Sequence, residues 1–600
     1  SFSFATKLTQ RSTYNVTVFT QPSGQNCTVT NGSGTVTGNI SNITVSCTNI
    51  LYTLGGTVSG LNGSVVLKNG TESLTRSANG SFSFATKLTH GSPYNVTVFT
   101  QPTGQACSVA NGSGTVTGNV TNVTVACTNT PVIADDPVNW SQLVANAKGT
   151  VRYVGSKEEF NSASIAARSG DVIIVRNGTY DWFGLNVVSR GTADAPIVYM
   201  AETPGRVTFR GRSQTMTVLG NYNIIGGFVF DGITESAVTL TGPAGAGTTG
   251  ASNNRITDIT MRNCGFMKPE EMIEIKRRSH RNRIDHSVFD QNYGLIRLYV
   301  AERDAVDYGP SQDTRIDHNI FKNTRPDNVN ADKIRVPVIQ LGQGEPSARG
   351  SSFLPVRAVV EHNTIQNHVT FYNETISSKT SNNIIRYNTL IESSGGIVLR
   401  DGNFGEVYGN LITGSQDGFG IGVHGAFHKI YNNIINGPQK KHGIYLSRWG
   451  DRVGMSSIGD THDVLIANNT IFAYGEYGLR LGDCDREACN TLRNITISNN
   501  IFVGSRGTMF HYNEGSVTNL KVNNNLYYNK GSAALGKGFN YDSAPTTGNP
   551  GIATPTSVPT SGLVRDTGTV IPGINEDYNR KPRKVGAAPD IGAIEYQGAP

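Results

Sequence analysis

The sequence predicts an all-β protein: a right-handed parallel β-helix preceded by small β-sandwich repeats. Glycine is abundant, at 69 of 600 residues, and charged residues make up only 16%, a composition that disfavours helical and coiled-coil proteins. A long repeat fills the chain up to position 130, and a shorter repeat begins near position 260. Because a chain of this length exceeds one ordinary core, we expect several domains or a repeat architecture.

The N-terminal repeat begins at Ser1 and begins again at Ser81, so that Cys27 is matched by Cys107. "SFSFATKLTQRSTYNVTVFTQ" at the start of the chain returns as "SFSFATKLTHGSPYNVTVFTQ" in the second copy. Alternating stretches such as "YNVTVFT" predict strands separated by Asn-Gly and Gly-Ser turns. These repeats resemble bacterial immunoglobulin-like or carboxypeptidase-regulatory-like β-sandwich modules. We predict a truncated repeat over 1–50, which lacks its opening strands, a complete repeat over 51–130 and a linker over 131–150.

The cysteine spacing indicates disulfides. Four of the seven cysteines form two pairs with equal separation (47 − 27 and 127 − 107), Cys27 with Cys47 and Cys107 with Cys127. One disulfide per repeat implies an oxidising, extracytoplasmic location. Cys484 and Cys489 can close a small surface loop. With this extracytoplasmic location we expect a bacterial protein that is secreted, periplasmic or on the cell surface. The chain starts without a methionine or a signal peptide, which suggests that it is processed or trimmed.

The net charge of +6 suits an acidic partner, such as an anionic polysaccharide. No dense stripe of Lys and Arg with interleaved aromatic residues is present, which disfavours nucleic acid. No apolar run approaches the length that a membrane-spanning helix needs, so no membrane span is predicted.

The second repeat predicts the β-helix, over residues 151–600. Short segments such as "VVEHNTIQ", "IIRYNTLI" and "IYNNIIN" recur, and their asparagines follow one another at intervals of 25, 22 and 23: Asn363, Asn388, Asn410 and Asn433. A strand, a turn with Asn and another strand in each period are typical of stacked coils. Asn tolerates the left-handed turn conformation, and its amide can form a ladder with the Asn of the next coil.

Both ends of the β-helix have predicted covers. Ser156 and Glu159 have capping-box spacing before a short helix, which we expect to close the N-terminal end. The segment "AAPDIGAIEYQ" is expected to cap the last coil.

The interval from Lys379 to Arg400 (400 − 379) is close to one coil, so we expect these two residues to be stacked neighbours. Two adjacent cations repel, which lowers the pKa of the lysine and suits it to act as a general base. This pair fits β-elimination in a polyuronate, in which a base removes the C5 proton and negative charge grows on the carboxylate. An exposed charge pair without function is the other interpretation of the spacing.

Three segments, in order, resemble the core motifs of polysaccharide lyase family 6, the chondroitinase B and alginate lyase family: "TFYNETISSKTSNN", "IVLRDGN" and "FGIGVHGAFHKIYNNI". The resemblance covers roughly residues 150–450. It implies a lyase with Lys379 as base and Arg400 as the group that stabilises the carboxylate or assists the leaving oxygen. Alginate is the preferred anionic substrate, and dermatan or chondroitin sulfate is the alternative.

The resemblance also places the family's calcium ligands. The acidic pair falls on Tyr372 and Glu374, so one carboxylate is missing, and the family's asparagine ligand has no clear match. We therefore expect no cofactor, with calcium at an incomplete site through Glu374 as the alternative. Because Glu374 and Lys379 are five positions apart, a bend in "SSK" is needed to bring both into one site.

Further residues are expected near the substrate. His428 matches a family histidine, and Asp401 stands where the family has a histidine after the arginine. An aromatic ring and an arginine suit sugar stacking and carboxylate binding. The predicted substrate contacts are His428, Arg448, Tyr445, Trp449 and Tyr372, with His424 in the same region.

Two other functions stay open from the sequence. A glycan-binding or adhesive β-helix without activity fits the incomplete metal site and the N-terminal repeats. A hydrolase needs two acids on neighbouring coils, for which Asp401 and Glu374 are conceivable.

Overall fold

The structure is a computed structural model that describes residues 2–61, 63–70, 72–100, 102, 105–129, 137–211, 214–242, 249–265, 271–292, 295–298, 309–324, 337–342, 354–369, 374–414, 418–437, 441–448, 461–472, 475–483, 489–513 and 515–598. The chain divides into two compact units, Ser1–Asp135 and Asp136–Pro600. Each unit is described by itself.

The first unit contains the two N-terminal repeats. The strands of the first repeat are Thr13–Asn15, Gln25–Thr30, Ser33–Thr35 and Thr44–Asn49. The strands after position 50 are Leu51–Tyr52, Leu54–Ser59, Val65–Asn69, Glu72–Arg76, Gly80–Ser83, Leu88–Thr89, Pro93–Thr100, Gln105–Ala110, Ser113–Thr115 and Val120–Asn129. In the second repeat, eight of these strands form two four-stranded sheets. Buried Leu54, Leu67, Phe82 and Val125 belong to their shared core.

Both predicted N-terminal disulfides are present. Cys27 lies opposite Cys47 in one antiparallel strand pair, and Cys107 lies opposite Cys127 in another. Cys489 is also disulfide-bonded. Cys484, its expected partner, lies outside the described residues.

The second unit is a parallel β-helix, as predicted. Within the described residues, successive coils stack their strands into three parallel sheets of 14, 14 and 12 strands, and all but the terminal coils add one strand to each sheet. Sheet A consists of Val151–Val154, Val172–Val175, Ile197–Ala201, Asn223–Gly226, Arg255–Thr257, Arg283–Asp285, Arg315–Asp317, Val359–Glu361, Ile384–Arg386, Glu406–Tyr408, Lys429–Tyr431, His462–Ala467, Leu492–Ser498 and Val517–Asn523.

The other two sheets follow in each coil. Sheet B consists of Gly178–Tyr180, Val207–Arg210, Phe228–Asp231, Thr260–Arg262, Val288–Asp290, Ile320–Lys322, Thr364–Gln366, Thr389–Ile391, Leu411–Thr413, Ile434–Asn436, Thr470–Phe472, Ile501–Gly504, Leu526–Asn529 and Thr546–Thr547. Sheet C consists of Leu185–Val187, Met216–Val218, Val238–Leu240, Glu271–Ile275, Leu295–Leu298, Ile339–Leu341, Glu374–Ser378, Gly396–Leu399, Ile421–Val423, His442–Ser447, Tyr477–Asp483 and Thr508–Tyr512.

Columns of aliphatic side chains fill the interior of the β-helix. In sheet C, Ile339, Ile376, Ile397 and Ile421 pair in register on successive coils, and all are fully buried. Burial of such side chains is the main favourable term in folding. The outward residues of the same strands are therefore left to form a surface.

The predicted asparagine ladder runs through the turn between sheets A and B. The main-chain N–H of Asn388 donates to Asn410 Oδ1 at 3.0 Å, and that of Asn410 donates to Asn433 Oδ1 at 3.1 Å. The left-handed residue is not the ladder asparagine, however, but the residue before it. Tyr387 and Asn432 both have φ of 54°. The sharp bend therefore lies at the residue before each ladder asparagine, and the side-chain amide of that asparagine points into the turn.

The N-terminal end of the β-helix is closed by helix α2 (Lys157–Ala166). Ser156 Oγ accepts from the N–H of Glu159 at 3.1 Å, as the capping box predicts, while the Glu159 carboxylate accepts from the N–H of Gly155 at 2.6 Å. Phe160 of this helix is fully buried.

A further helix, α1 (Trp140–Ala145), lies in the interval predicted as a linker. Trp140 packs against Val172 and Ile174, and its ring N–H donates to Asp258 at 2.7 Å. No helix in the described parts of the chain is long and apolar enough to cross a membrane.

The C-terminal segment is not the predicted cap over the last coil. It runs back along the side of the β-helix, where the Thr569 N–H donates to Asn499 and the Ala593 N–H donates to Thr470, each at 2.9 Å. The last coils are instead covered by the 3-10 helix Lys537–Tyr541, whose Phe539 ring lies 5.0 Å from that of Tyr527.

We expect Asn410→Ala to lower the free energy of unfolding by roughly 2–4 kcal/mol, because it leaves buried backbone groups of two neighbouring coils without partners. The Asn410 amide donates to Ile385 O at 2.9 Å and accepts from Asn388. Chemical denaturation measures the change. Asn436→Ala, which removes one 3.4 Å contact to Thr413 near the surface, is the matched control. Equal stability of the two variants would contradict a stabilising role of the ladder.

Candidate active site

Lys379, Arg400 and His424 each follow a strand of sheet C, on three successive coils. The main-chain N–H of Lys379 donates to Leu341 O and that of Arg400 to Ser378 O, both at 2.8 Å. His424 continues the pattern on the next coil. These residues are therefore stacked about 4.8 Å apart along the axis, as their spacing in the sequence predicts.

Glu374 reaches the same site through a β-bulge. The register of its strand shifts between Glu374 and Ile376, so Thr375 is the extra residue that interrupts the alternation. Ser377 Oγ then donates to Glu374 Oε2 at 2.7 Å, and Glu374 Oε1 forms an ion pair with Arg400 Nη1. The bend that the sequence requires lies at this bulge rather than in the "SSK" stretch.

Lys379 is partly buried within this group of charges. Burial lowers the pKa of its amino group below the ordinary value; Glu374 opposes this shift, and Arg400 and Arg297 add to it. No ion pair or hydrogen bond to the Lys379 amino group occurs among the described residues. A lysine in this setting holds its neutral form more readily than an exposed lysine.

Asp401 follows Arg400 directly in the chain and is 5% exposed. Burial raises the pKa of its carboxyl to about 7, although Arg400 and Lys379 act to lower it. Its Oδ1 atom has no hydrogen-bond partner in the described part of the chain. The charge of this carboxyl group therefore changes close to neutral pH.

Tyr445 extends over Gly422 on the coil before its own. A Cβ atom on Gly422 would lie 2.5 Å from Tyr445 Cε1 and 2.6 Å from its hydroxyl, so the ring occupies the place of a side chain. The hydroxyl is 3.2 Å from His424 Nε2. Phe419 packs edge-on against the ring, with centroids 4.4 Å apart. The structure thus brings Tyr445 and His424 together beside Arg400.

His428 does not take part in this surface. It is 1% exposed, its Nδ1 accepts from the N–H of Gly405 at 2.9 Å, and its Nε2 lies 3.0 Å from the carbonyl of His424. Burial lowers its pKa to about 4. The geometry gives His428 a structural role in the turn, in place of the substrate contact predicted from the sequence.

The remaining predicted contacts are placed as follows. Arg448 is partly buried, and its Nε donates to the carbonyl of Asn490 at 2.7 Å, which anchors the side chain to a later coil. Tyr372 and Trp449 lie outside the described residues.

Arg297 was not identified from the sequence. It pairs in register with Gln340, which pairs with Ser377, so it lies in the outward row of sheet C that contains Ser377, two coils earlier. The steps between these residues are 43 (340 − 297) and 37 (377 − 340), because long loops interrupt this region. No constant period could have placed Arg297, although its isolation between the apolar residues of "LIRL" marks it as an outward position.

The described residues do not fit a calcium ion at the position that the resemblance implies. Calcium takes six to eight oxygen ligands. Both oxygens of Glu374 are already engaged, by Arg400 and by Ser377. Within the described chain, no group of three His, Cys, Asp or Glu side chains is placed to hold a metal ion.

The family model described as Chondroitinase B matches residues 154–474, more than half of the chain. The chain belongs to this family of polysaccharide lyases. No curated protein matches the chain by sequence.

Two solved structures of family 6 lyases show the same fold. A mannuronic acid-specific polysaccharide family 6 lyase from human gut microbiota is 19% identical, with 67% of this chain and 92% of that chain aligned and a TM-score of 0.52. The family 6 polysaccharide lyase Pedsa3628 from Pseudopedobacter saltans is 20% identical, with 68% and 95% aligned and a TM-score of 0.51. The family 6 alginate lyase AlyGC is 22% identical, with a TM-score of 0.48, and this chain spans 53% of its length.

We expect Asp401→Asn to stabilise the protein above neutral pH. The carboxyl pKa of about 7 in the folded state exceeds the unfolded value of about 3.9. Its contribution to stability is thus complete below about pH 4 and lost as the pH rises to about 7. The melting temperature of the variant relative to the wild type should therefore increase from pH 4 to pH 8. The exposed Asp194→Asn is the control, and a difference that does not vary with pH would contradict the assignment.

Proposed function

We propose that this chain cleaves the polyuronate alginate by β-elimination, which leaves an unsaturated uronate at the new end. The reaction proceeds without a bound metal. Lys379 removes the C5 proton, and Arg400 binds the adjacent carboxylate. The observation that carries the proposal is the stacking of Lys379 on Arg400, with burial lowering the pKa of the lysine.

The base step requires a neutral amine beside the substrate. Lys379 meets this requirement because burial and the cations of Arg400 and Arg297 disfavour its charged form. Glu374 raises the pKa of Lys379 through its charge, but its ion pair is with Arg400 rather than with the lysine. The amine therefore remains available to accept a proton.

The second requirement is a cation for the carboxylate whose charge grows as the C5 proton leaves. Arg400 uses one terminal nitrogen, Nη1, in its ion pair with Glu374. A guanidinium presents five N–H donors, so its other edge can bind a substrate carboxylate. Glu374 holds the guanidinium in place for this contact. Arg400 thereby takes the role that a metal ion would otherwise have at the substrate carboxylate.

Alginate is supported by what similar structures bind. One structure of the same fold, 16% identical with a TM-score of 0.51, is the alginate lyase AlyF-OU02 with G6. Another, the mannuronic acid-specific lyase, has a TM-score of 0.52. Alginate carries carboxylates and no sulfate, so a site with few cations is sufficient for it.

Dermatan or chondroitin sulfate is the second candidate, and two observations favour it. The matching family model bears the name Chondroitinase B. In addition, Lys276 occupies the position of Lys379 three coils earlier, about 14 Å away, and is followed by Arg277 and Arg278. A basic turn of this kind suits a sulfated sugar.

We expect alginate to give a rise in ultraviolet absorbance from unsaturated uronate ends, with dermatan sulfate inactive. The rise should persist with a calcium chelator and fall by about 10³-fold or more in Lys379→Ala, because the variant lacks the amine that takes the C5 proton. Lys530→Ala, a change of an exposed lysine six coils after that of Lys379, is the control.

Other results of this absorbance experiment lead to different conclusions. Cleavage of dermatan sulfate alone would assign the second substrate. Loss of activity with chelator would overturn the metal-free mechanism. No cleavage of either polymer, with retention of the protein on an alginate affinity gel, would make it a glycan-binding β-helix.

We expect Asp401→Asn to move the rising limb of the pH profile of kcat/KM to lower pH. The rate should rise as Lys379 loses its proton, and the Asp401 carboxylate raises the pKa of that lysine. Removing this charge favours the neutral amine. An unchanged limb, measured beside Asp194→Asn, would show that Lys379 is not the group that titrates.

A further inference from the structure

A polar groove crosses sheet A, on a different face of the β-helix from the sheet C residues described above. Its volume is about 460 Å³, and it spans the strands His462–Ala467, Leu492–Ser498 and Val517–Asn523. Two rows of side chains line it, with one residue of each row on each strand. The amide row is Asp463, Asn494 and Asn519, and the strand row is Leu465, Thr496 and Lys521.

Hydrogen bonds between neighbouring coils hold the amide row. The Asn519 amide donates to Asn494 Oδ1 at 2.7 Å, and the Asn494 amide donates to Asp463 Oδ1 at 3.1 Å. Each of these residues has a φ between 52° and 54°, so the backbone bends sharply at each of them. Asn494 and Asn519 are exposed, and Asn519 Oδ1 accepts no hydrogen bond from the described residues. The row therefore presents oriented polar groups along one edge of the groove.

The strand row is in register across the same three strands. Leu465 pairs with Thr496, which pairs with Lys521. Lys429 lies one coil before Leu465 in this row, and its amino group is paired with Glu406 at 2.9 Å. Lys521, in contrast, is exposed, and its amino group has no ion pair among the described residues. Its charge is therefore available to an anionic ligand.

Two exposed aromatic rings continue the amide row toward earlier coils. Phe404 and Phe427 have φ of 58° and 59°, and each lies two positions before a residue of the row that contains Lys429. Their rings stack at 4.7 Å between centroids, and Phe427 packs edge-on against His462 at 5.1 Å. The two phenylalanines are 50% and 43% exposed. Exposed apolar surface beside a polar groove is typical of an interaction site.

The chemistry of this surface fits one chain of an acidic polysaccharide. Side-chain amides and the Thr496 hydroxyl donate and accept hydrogen bonds, as sugar hydroxyls do, and a lysine suits a uronate carboxylate. Phenylalanine rings suit the apolar face of a sugar. Equivalent groups recur about 4.8 Å apart along the axis, close to the length of one sugar in an extended chain. A peptide strand fits less well, because the strand Leu492–Ser498 is already paired on both sides.

We propose that the groove on sheet A is a non-catalytic binding site for a polyuronate chain, which lies along the axis of the β-helix. It is distinct from the sheet C site and takes no part in the elimination. A long polymer held in the groove would have a raised effective concentration at sheet C. The groove would bind the polymer whether or not the protein cleaves it.

The first test compares opposite charges at the centre of the groove. Thr496→Glu and Thr496→Lys are made in the full chain with Lys379→Ala, so that the polymer is not consumed, and migration is measured in native gels containing alginate. We expect the glutamate to weaken the apparent affinity about threefold to fivefold and the lysine to strengthen it, because only the lysine attracts the carboxylates. The same pair of changes at Thr179, which is exposed on the first coil of sheet B, is the matched control.

The second test uses cleavage and substrate length. In the protein with Lys379 intact, Phe427→Ala should raise the ratio of the KM for alginate polymer to the KM for an alginate tetrasaccharide about fivefold. The reason is that a tetrasaccharide is too short to occupy the groove and sheet C together. Phe183→Ala, which removes another exposed phenylalanine, is the control and should leave this ratio unchanged.

The outcomes separate the groove from the proposed function. Equal migration of the two Thr496 variants would overturn the groove, and so would an equally large difference between the two Thr179 variants, which would reflect total charge alone. Equal retardation in a gel of neutral glucan would also overturn it. Stronger binding by Thr496→Lys cannot arise from unfolding. A protein that cleaves no polyuronate but migrates according to the charge at Thr496 would contradict the proposed function and leave the groove in place.

Discussion

The parallel hydrogen bonding of one coil to the next is the constraint on which the rest of the structure depends. It fixes a repeat of about 4.8 Å along the axis and keeps equivalent residues of neighbouring coils in register. The buried isoleucine columns and the asparagine ladder both follow from this register. The row of Lys379, Arg400 and His424 also follows from this register. Neighbours in this row are farther apart in the sequence than residues that are in contact within a helix or a hairpin.

The same constraint sets the charge balance of the site. Stacking places Lys379 next to Arg400, and two cations so close would repel without compensation. Glu374, carried to the outward face by the bulge at Thr375, compensates the arginine directly. Burial lowers the pKa of the lysine, whereas the charges of Glu374 and, more weakly, Asp401 raise it. The carboxyl group of Asp401 itself has a pKa of about 7. The lysine and the arginine therefore have different electrostatic roles although they occupy equivalent positions.

The lack of a side chain at Gly422 shapes the site as well. Gly422 lies between Val398 and Tyr445 in the register of sheet C, and the tyrosine ring fills the space beside it. A larger residue there would keep the ring on its own coil. One glycine thus moves an aromatic hydroxyl by one coil, toward the charged cluster.

The sequence by itself determined the β-helix, the N-terminal repeats, two of the disulfides and the adjacency of Lys379 and Arg400. Each of these depends on a period or a spacing, and a repetitive backbone converts spacing directly into distance. The tertiary structure decided what no period encodes. It placed the bend at Thr375, buried His428 in a turn, laid the C-terminal segment along the side of the β-helix and brought Arg297 near Lys379 across long loops. These features arise from side-chain packing and from irregular insertions, where distance along the chain no longer measures distance in space.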